Sequence, residues 1–441
     1  MQANKRVLII SYYWPPSGGA GVQRWLKFVK FLPKNGWTPV VYTPSNPEFP
    51  SIDTELEKEI PPECEVIQTP IREPYALYKK LMGAKKEDRI NAGFLNETGT
   101  AGRKEQLARW VRGNYFIPDA RKFWIKPSVK YLQNYLAQNP VDLIITTGPP
   151  HSMHVIGLQL KKQLNLPWIA DFRDPWTNID FYQDLHLSDK ADRKHHQLES
   201  AVLNNADTVL VIGQQMKKEF GEITDPLKIH VVPNGFDPAD FPKNQTVVPD
   251  PHFSLAHIGS FSPARNVPVL WEALSELIKE NEAFKANFRL KLIGKVDASV
   301  TQSLIDFGLE DHLERHPYLP HGEVLTHERS SSVLLLSVND APNAKGIVTG
   351  KVFEYFFAQR PILAIGPEDG DLAQLIRETE TGQVVERRSK ERMMSVLRDM
   401  FIAWQGKKLN IEPKNISRFN REELTTELDQ LMRNTINHTQ E

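Results

Sequence analysis

The segment Asp171-Phe172-Arg173-Asp174-Pro175-Trp176 sets a guanidinium between two carboxylates directly after the apolar run Trp168-Ile169-Ala170. Charges beside an apolar strand are costly to bury unless they are paired or used. Arg173 could neutralise a phosphate or a departing oxyanion, with Asp171 or Asp174 orienting it or accepting a proton; a salt-bridged strand end is the alternative. A second loop, Thr146-Thr147-Gly148-Pro149-Pro150-His151-Ser152-Met153-His154, also follows an apolar run and opens a helical pattern. His151 there could hydrogen-bond a sugar or shuttle a proton. His151 and His154 lack the surrounding carboxylates or the H-E-x-x-H spacing of a metal site, and His195-His196 reads as a solvated helix face.

Three further loops carry the chemistry of anion binding. Gly18, Gly19 and Gly21 lie between a strand pattern and the helical pattern that starts at Val22, where free amides suit an anion. Their spacing is not G-x-G-x-x-G, and no acidic residue ends the second strand, so a dinucleotide site is disfavoured. Gly259-Ser260-Phe261-Ser262-Pro263-Ala264-Arg265 places a guanidinium after another strand pattern. The segment Ile347-Val348-Thr349-Gly350-Lys351-Val352-Phe353-Glu354-Tyr355 delivers Thr349, the amide of Gly350 and Lys351 to a helix start, a cradle for a diphosphate, with Glu354 one turn on at a distance suited to a ribose diol. It lacks the G-x-x-x-x-G-K-[ST] spacing of nucleotide-hydrolysing P-loops.

Short apolar runs alternate with longer amphipathic stretches through nearly the whole chain, the pattern of parallel strands joined by crossover helices. Strands are expected near Val7–Tyr12, Thr38–Thr43, Glu65–Thr69, Asp142–Thr147, Trp168–Phe172, Thr208–Ile212 and Ile229–Pro233, and again near Ser254–Ile258, Arg289–Ile293, Arg315–Tyr318, Val333–Val338 and Ile362–Ile365. The proline-rich stretch from Pro233 to Pro251 separates the two series. The expected organisation is an α/β protein with one domain over residues 1–245, a second over 246–412 and a C-terminal helix within 413–441. The apolar positions Ile416, Phe419, Leu424, Leu428 and Leu431 of that last stretch need a surface to cover, on either domain.

The 441 residues include 54 basic and 55 acidic side chains, with a slightly basic first half and a slightly acidic second. Such a balance excludes wholesale disorder and a general polyanion-binding role. One cysteine excludes a disulfide within the chain, and no run reaches the ~20 apolar residues of a membrane-spanning helix. The start runs straight into a strand pattern, so a cytoplasmic location is expected. Within Tyr75–Lys130, the piece from Arg103 onward holds eight basic residues against two acidic, interleaved with Trp110, Tyr115, Phe116, Phe123 and Trp124. That mixture suits an anionic membrane surface on the inner face of the cell membrane; with no nucleic-acid reader motif beside it, nucleic acid is not expected as a partner.

The glycine-rich first loop, Asn234-Gly235-Phe236-Asp237, the Gly259 to Arg265 loop and Lys351-x-x-Glu354-Tyr355 before Arg360-Pro361-Ile362-Leu363-Ala364 together resemble a bacterial retaining GT-B glycosyltransferase, more narrowly the family 4-like enzymes of cell-surface polysaccharide assembly. The resemblance covers essentially the whole chain. It implies two Rossmann-like parallel-sheet domains facing a cleft, with a C-terminal helix crossing back to the first. It implies that Arg265 and Lys351 hold the diphosphate of a UDP- or GDP-type sugar donor, assisted by the amides of Ile347–Gly350. Glu354 would bind the ribose, Tyr318 and Leu319 would border the base, Gly18 and Gly19 would approach from the opposite wall, and His151 would lie on the side of a saccharide or lipid-linked acceptor. No cofactor or metal is implied. Two departures stand out: Gly346 occupies the place of the first glutamate of the family's Glu-x7-Glu, and Arg173 stands where many relatives place a histidine.

A nucleotide-sugar 2-epimerase, a metal-dependent hydrolase built on His151, His154 and Asp171, and a non-catalytic assembly subunit are the competing readings. The first lacks a convincing set of groups for proton abstraction at the sugar. The missing Glu at position 346 is the feature that keeps the last one open.

Overall fold

The structure, a computed structural model, describes residues 4–49, 51–74, 103–241, 247–317, 319 and 321–440. The described residues form two compact units, one from residues 4–234 and 421–440, the other from 235–420.

The first unit is built on seven strands: β1 Lys5–Ile10, β2 Trp37–Pro44, β3 Glu65–Thr69, β4 Leu143–Gly148, β5 Trp168–Phe172, β6 Thr208–Val211 and β7 Ile229–Val231. All pair in parallel, in the order β3-β2-β1-β4-β5-β6-β7, with Val7 opposite Leu143 and Ile145 opposite Ile169. Helices cover both faces of such a sheet, which is why β1, β4 and β6 contain unbroken Val, Ile and Leu runs (Val7–Ile10, Leu143–Ile145 and Val209–Val211) instead of alternating with polar residues. Helices Ala20–Phe31, Lys122–Gln138, Ser152–Leu164 and Asp189–Asn205 supply much of that cover. Strand order reverses between β1 and β4, so the loops after these two strands flank a crevice at the carboxyl edge.

The second unit repeats the plan with β8 Phe253–Ile258, β9 Phe288–Ile293, β10 Leu313–His316, β11 Val333–Ser337, β12 Ile362–Ile365 and β13 Gly382–Val385, in the order β10-β9-β8-β11-β12-β13. Its order reverses between β8 and β11. Two apolar clusters fill the two faces, one centred on Trp271, Leu290, Leu335 and Met393, the other on Leu334, Val352, Phe353 and Phe356.

The C-terminal stretch splits at Arg421. Ile416 and Phe419 pack into the second unit, whereas the helix Arg421–Gln440 buries Leu424, Leu428, Met432 and Ile436 in the core of the first. The stripe therefore runs strictly at i, i+4, and Leu431 lies at its edge, partly buried. Trp37 Nε1 donates to Asp429 Oδ1 at 2.6 Å, Arg433 Nη2 donates to the Asn35 carbonyl at 2.8 Å, and the Thr435 and Thr208 hydroxyls meet at 2.7 Å. Leu428→Ala should destabilise the protein by about 2–5 kcal/mol, the usual cost of emptying a leucine site that cannot collapse. A urea midpoint unchanged in that variant would show that the helix is not part of the cooperative core.

Candidate functional site

In the first unit, the crevice between β1 and β4 is held by buried charge. Asp171, at the end of β5, is fully buried and accepts from Arg24 Nη2 at 2.8 Å and Nε at 3.1 Å, from Trp25 Nε1 at 2.7 Å and from Thr147 Oγ1 at 2.9 Å. Burial alone would push its carboxyl up, but Arg24, Trp25 and Thr147 outweigh this and hold it below the ordinary carboxylate range. The partner expected for Asp171 was Arg173; the structure gives it Arg24, also buried, which reaches on to the Pro233 carbonyl at 3.0 Å. Asp171 spends both oxygens on these donors, and His154 bonds Thr146 through Nδ1 at 2.8 Å, so the donor set of a metal-dependent hydrolase is not assembled.

Arg173 serves the backbone instead. Its Nη1 donates to the Gly21 carbonyl at 2.6 Å, Nε to Gly148 O at 3.4 Å and Nη2 to Pro149 O, tying the loop after β1 to the loop after β4. A Cβ on Gly21 would stand 3.2 Å from Nη1, so only glycine lets the clamp close without displacement. Gly18 is buried against the 51–53 segment, its N–H donating to Ser51 O at 3.0 Å, and Gly19 takes φ +90° at the start of the Ala20–Phe31 helix.

Beside this clamp lies a cavity of about 260 Å³ lined by rings and by charge: Tyr13, Phe116, His151, Trp176, Tyr182 and His195, with Arg112, Asp119, Arg121 and Asp174. His151 and Asp174 are thus brought together at one cavity, while Asp171 lies sealed behind it. His151 stacks on Trp176 at 4.6 Å with the planes 4° apart. Asp119 caps the Ser152–Leu164 helix through Ser152 N and Oγ, both at 2.8 Å. His195 corrects the expectation of a solvated face: it is buried, its Nδ1 accepts from Trp176 Nε1 at 3.0 Å, and it lines the cavity. Its partners, Trp176 19 positions away and the Gly113 carbonyl 82 positions away, are distant in sequence, and no local pattern announces them.

In the second unit, the loops after β8 and β11 meet at the reversal of strand order. Gly259 takes φ +121° and Gly294 φ +111°; a Cβ on Gly294 would stand 2.8 Å from the Gly259 carbonyl, so the chain turns there only with glycine. Asp340 N donates to Ala264 O at 2.8 Å, Ser337 Oγ to Arg265 O at 2.7 Å, and Arg387 bonds both loops through the carbonyls of Val338, Ala264 and Asn266. Arg265 is oriented by Asn339 Oδ1 at 2.8 Å and Ser260 O at 3.0 Å.

Lys351 reaches the same place from the start of the helix Lys351–Ala358: a Cβ on Gly259 would stand 3.9 Å from its Cε. Its ammonium donates to Glu354 Oε2 at 2.7 Å and to Glu328 Oε1 at 3.3 Å. Burial opposes its charge, but Glu354 and Glu328 prevail and keep it protonated well above the ordinary lysine range. His257, buried beneath, is pushed down to about 4 by burial and by the charges of Arg265 and Lys351, so it stays neutral below two cations. Thr349 Oγ1 and Glu328 Oε2 are buried without a hydrogen-bond partner among the described residues. Gly350 is exposed at the helix start. Leu319 packs on the core of this unit, and Tyr318 lies outside the described residues. Glu328 escaped the sequence reading because the His321–Ser330 helix that carries it has no strong apolar period.

Residues 94–240 match the family model Glycosyltransferase Family 4. That stretch holds Thr147, Gly148, Pro149, Asp171 and Arg173 but not their partners Gly21 and Arg24, and it holds most of the cavity. No curated protein matches the chain by sequence. Among solved structures, the sucrose-phosphate synthase of Thermosynechococcus elongatus aligns over 98% of this chain and 100% of its own, at 16% identity and a TM-score of 0.66. WaaG, a glycosyltransferase involved in lipopolysaccharide biosynthesis, aligns over 97% and 99%, at 16% identity and 0.59. A protein assigned as a UDP-N-acetylglucosamine 2-epimerase in Listeria monocytogenes aligns over 99% and 98%, at 12% identity and 0.54. These likenesses establish the two-unit Rossmann-like fold of the GT-B glycosyltransferases.

Two outcomes follow for stability. Arg24→Met strands Asp171 without its counter-charge and should cost about 3–5 kcal/mol in chemical denaturation; a loss below about 1 kcal/mol would mean that the pair is not what holds the crevice. His151 and His154 are held neutral, below the ordinary 6.5, chiefly by burial. The unfolded chain therefore binds more protons below that pH, and stability falls as pH drops, by about 1.4 kcal/mol per histidine per pH unit. His154→Gln should flatten that slope between pH 6 and 4, and an unchanged slope would contradict the burial of a neutral ring.

Proposed function

We propose that this protein is a glycosyltransferase that moves a sugar from a nucleoside-diphosphate donor to a saccharide or lipid-linked acceptor. The match of residues 94–240 to Glycosyltransferase Family 4 carries the reading. The second unit adds a chemical reason: Arg265, Lys351, the unpartnered Thr349 hydroxyl and the exposed helix start at Gly350 converge where a diphosphate would need them. Charge builds on the departing diphosphate in the transition state, and preorganised cations and amides stabilise it at that moment. Such a site needs no metal, and the proposal is of a metal-independent, retaining transfer with a UDP- or GDP-type donor. Glu354 is placed one turn beyond Lys351 for the ribose.

The acceptor is assigned to the first unit, at the ring-lined cavity beside His151 and Asp174, with Arg173 positioning the loops that form it. Leu107, Trp110, Tyr115 and Phe123 are exposed large hydrophobic residues on the same unit, and Lys122 lies 5.4 Å and 5.3 Å from the rings of Phe116 and Phe123. This mixture supports contact with an anionic membrane carrying a lipid-linked acceptor of cell-surface polysaccharide assembly. Residues 75–102 of the segment proposed for that role lie outside the described residues. No described helix is long and apolar enough to cross a membrane.

Lys351→Met should lower donor turnover by roughly 10²–10³-fold, the scale on which one preorganised electrostatic contact acts, while the melting transition stays cooperative. Transfer or donor hydrolysis at the unaltered rate would sink the assignment. Flotation with liposomes containing anionic lipid at low salt should retain the protein and lose it at high salt; no retention at low salt would remove the membrane contact.

A further inference from the structure

Glu328 is the one carboxylate of the second unit's site that no part of the donor reading uses, and its setting is unusual. It projects from the His321–Ser330 helix, which packs on the helix carrying Lys351, and it is fully buried at 0% exposure. One oxygen meets Lys351 Nζ at 3.3 Å, a longer contact than the 2.7 Å that Lys351 makes with Glu354. The other oxygen, Oε2, is buried with no donor among the described residues. A buried carboxylate with a single weak donor is stable as an anion only while that donor stays.

Lys351 already divides its three N–H donors between Glu354 at 2.7 Å and Glu328 at 3.3 Å, and the longer contact is the one a diphosphate displaces most readily. Once displaced, Glu328 would keep no counter-charge. The other ionisable groups facing it are Glu354 and Tyr355 on the Lys351–Ala358 helix, and His257, near Lys351 on β8, is neutral; none supplies a positive charge. Glu354 adds repulsion instead.

We propose that Glu328 is a positioning residue that, in alkaline solution where it is ionised beside Lys351, takes up a proton from solvent when Lys351 leaves it for the donor diphosphate, so that nucleotide binding there is coupled to proton uptake. This rests on the assignment of Lys351 to the diphosphate. The new O–H bond forms on the Glu328 carboxylate, Lys351 keeps its own three protons, and the proton comes from water or buffer, so the bound complex carries one positive charge more than ligand and protein did apart. In the empty state in alkaline solution the Glu328 anion holds Lys351 at the mouth of the site; in the filled state the neutral acid no longer competes for it. Burial already lifts the Glu328 carboxyl to about 8 against the pull of Lys351, with Glu354 adding to the rise, so the acid is poised to protonate as that pull is withdrawn.

Isothermal titration calorimetry with UDP and GDP at about pH 8.5, in two buffers of different ionisation enthalpy, reads the proton directly; a terminal phosphate with a second pKa of about 6 is fully ionised there and contributes none. The expected result is uptake of about half a proton or more per nucleotide bound, and loss of that uptake in Glu328→Gln with binding retained. Wild-type binding with no buffer dependence overturns the coupling and leaves the donor assignment standing, and so does equal uptake in Glu328→Gln. Failure of both nucleotides to bind overturns the donor assignment, and this inference with it. If Glu328→Gln does not fold, the wild-type protein still decides: its affinity should fall by up to about tenfold per pH unit above about 8, and a flat profile between pH 7 and 9.5 contradicts the proposal.

Discussion

Each unit depends on the place where strand order reverses. A parallel sheet whose crossovers run one way from β1 and the other way from β4 leaves two neighbouring loops that no helix covers, and the same holds between β8 and β11. At these two carboxyl-edge openings the chain spends its buried charge and its glycines. Arg24 with Asp171 and the Arg173 clamp fix the first; Arg387, Asn339 and the Gly259–Gly294 contact fix the second. The sites are rigid because loops, which would otherwise be mobile, are bonded to each other through backbone carbonyls.

The two openings are built for different chemistry. The first is ring-lined, with its histidines neutral and its acid Asp171 already satisfied, so what remains for a ligand is stacking surface and the cavity's polar side chains. The second concentrates two cations above a neutral histidine, beside an unpartnered hydroxyl and a carboxylate lacking a full set of donors. The chain as a whole is near neutrality, so attraction for an anion comes from this local arrangement and not from a general field.

Much of the fold was legible in the sequence because strands buried on both faces are rich in apolar residues, and β1, β4, β11 and β12 carry unbroken apolar runs at Val7–Ile10, Leu143–Ile145, Val333–Leu336 and Ile362–Ile365. The edge strand β13, Gly-Gln-Val-Val and mostly half-buried, has no such run and was not found. The helix Lys390–Gln405 was not found either, although Met393, Val396, Leu397 and Met400, all buried, form a stripe along it. The site was legible in its loops but not in its pairings. Asp171 meets Arg24 across 147 positions and Lys351 meets Glu328 across 23, and such partners are set by sheet register and helix packing, which one-dimensional spacing does not encode. Arg173 shows the limit from the other side: two flanking carboxylates invited an ion triad, yet backbone carbonyls took the guanidinium.

The central claim is that the opening between β8 and β11 is the donor site. Hydrogen–deuterium exchange of the whole chain with and without saturating UDP or GDP tests it most directly, because amides that bond a diphosphate, or lie in loops it orders, exchange more slowly. The account predicts slowed exchange in residues 259–266 and 343–354 of the second unit, with the Lys390–Gln405 helix unchanged. Protection confined to residues 13–24 and 147–176 of the first unit, with the second unit silent, would contradict it.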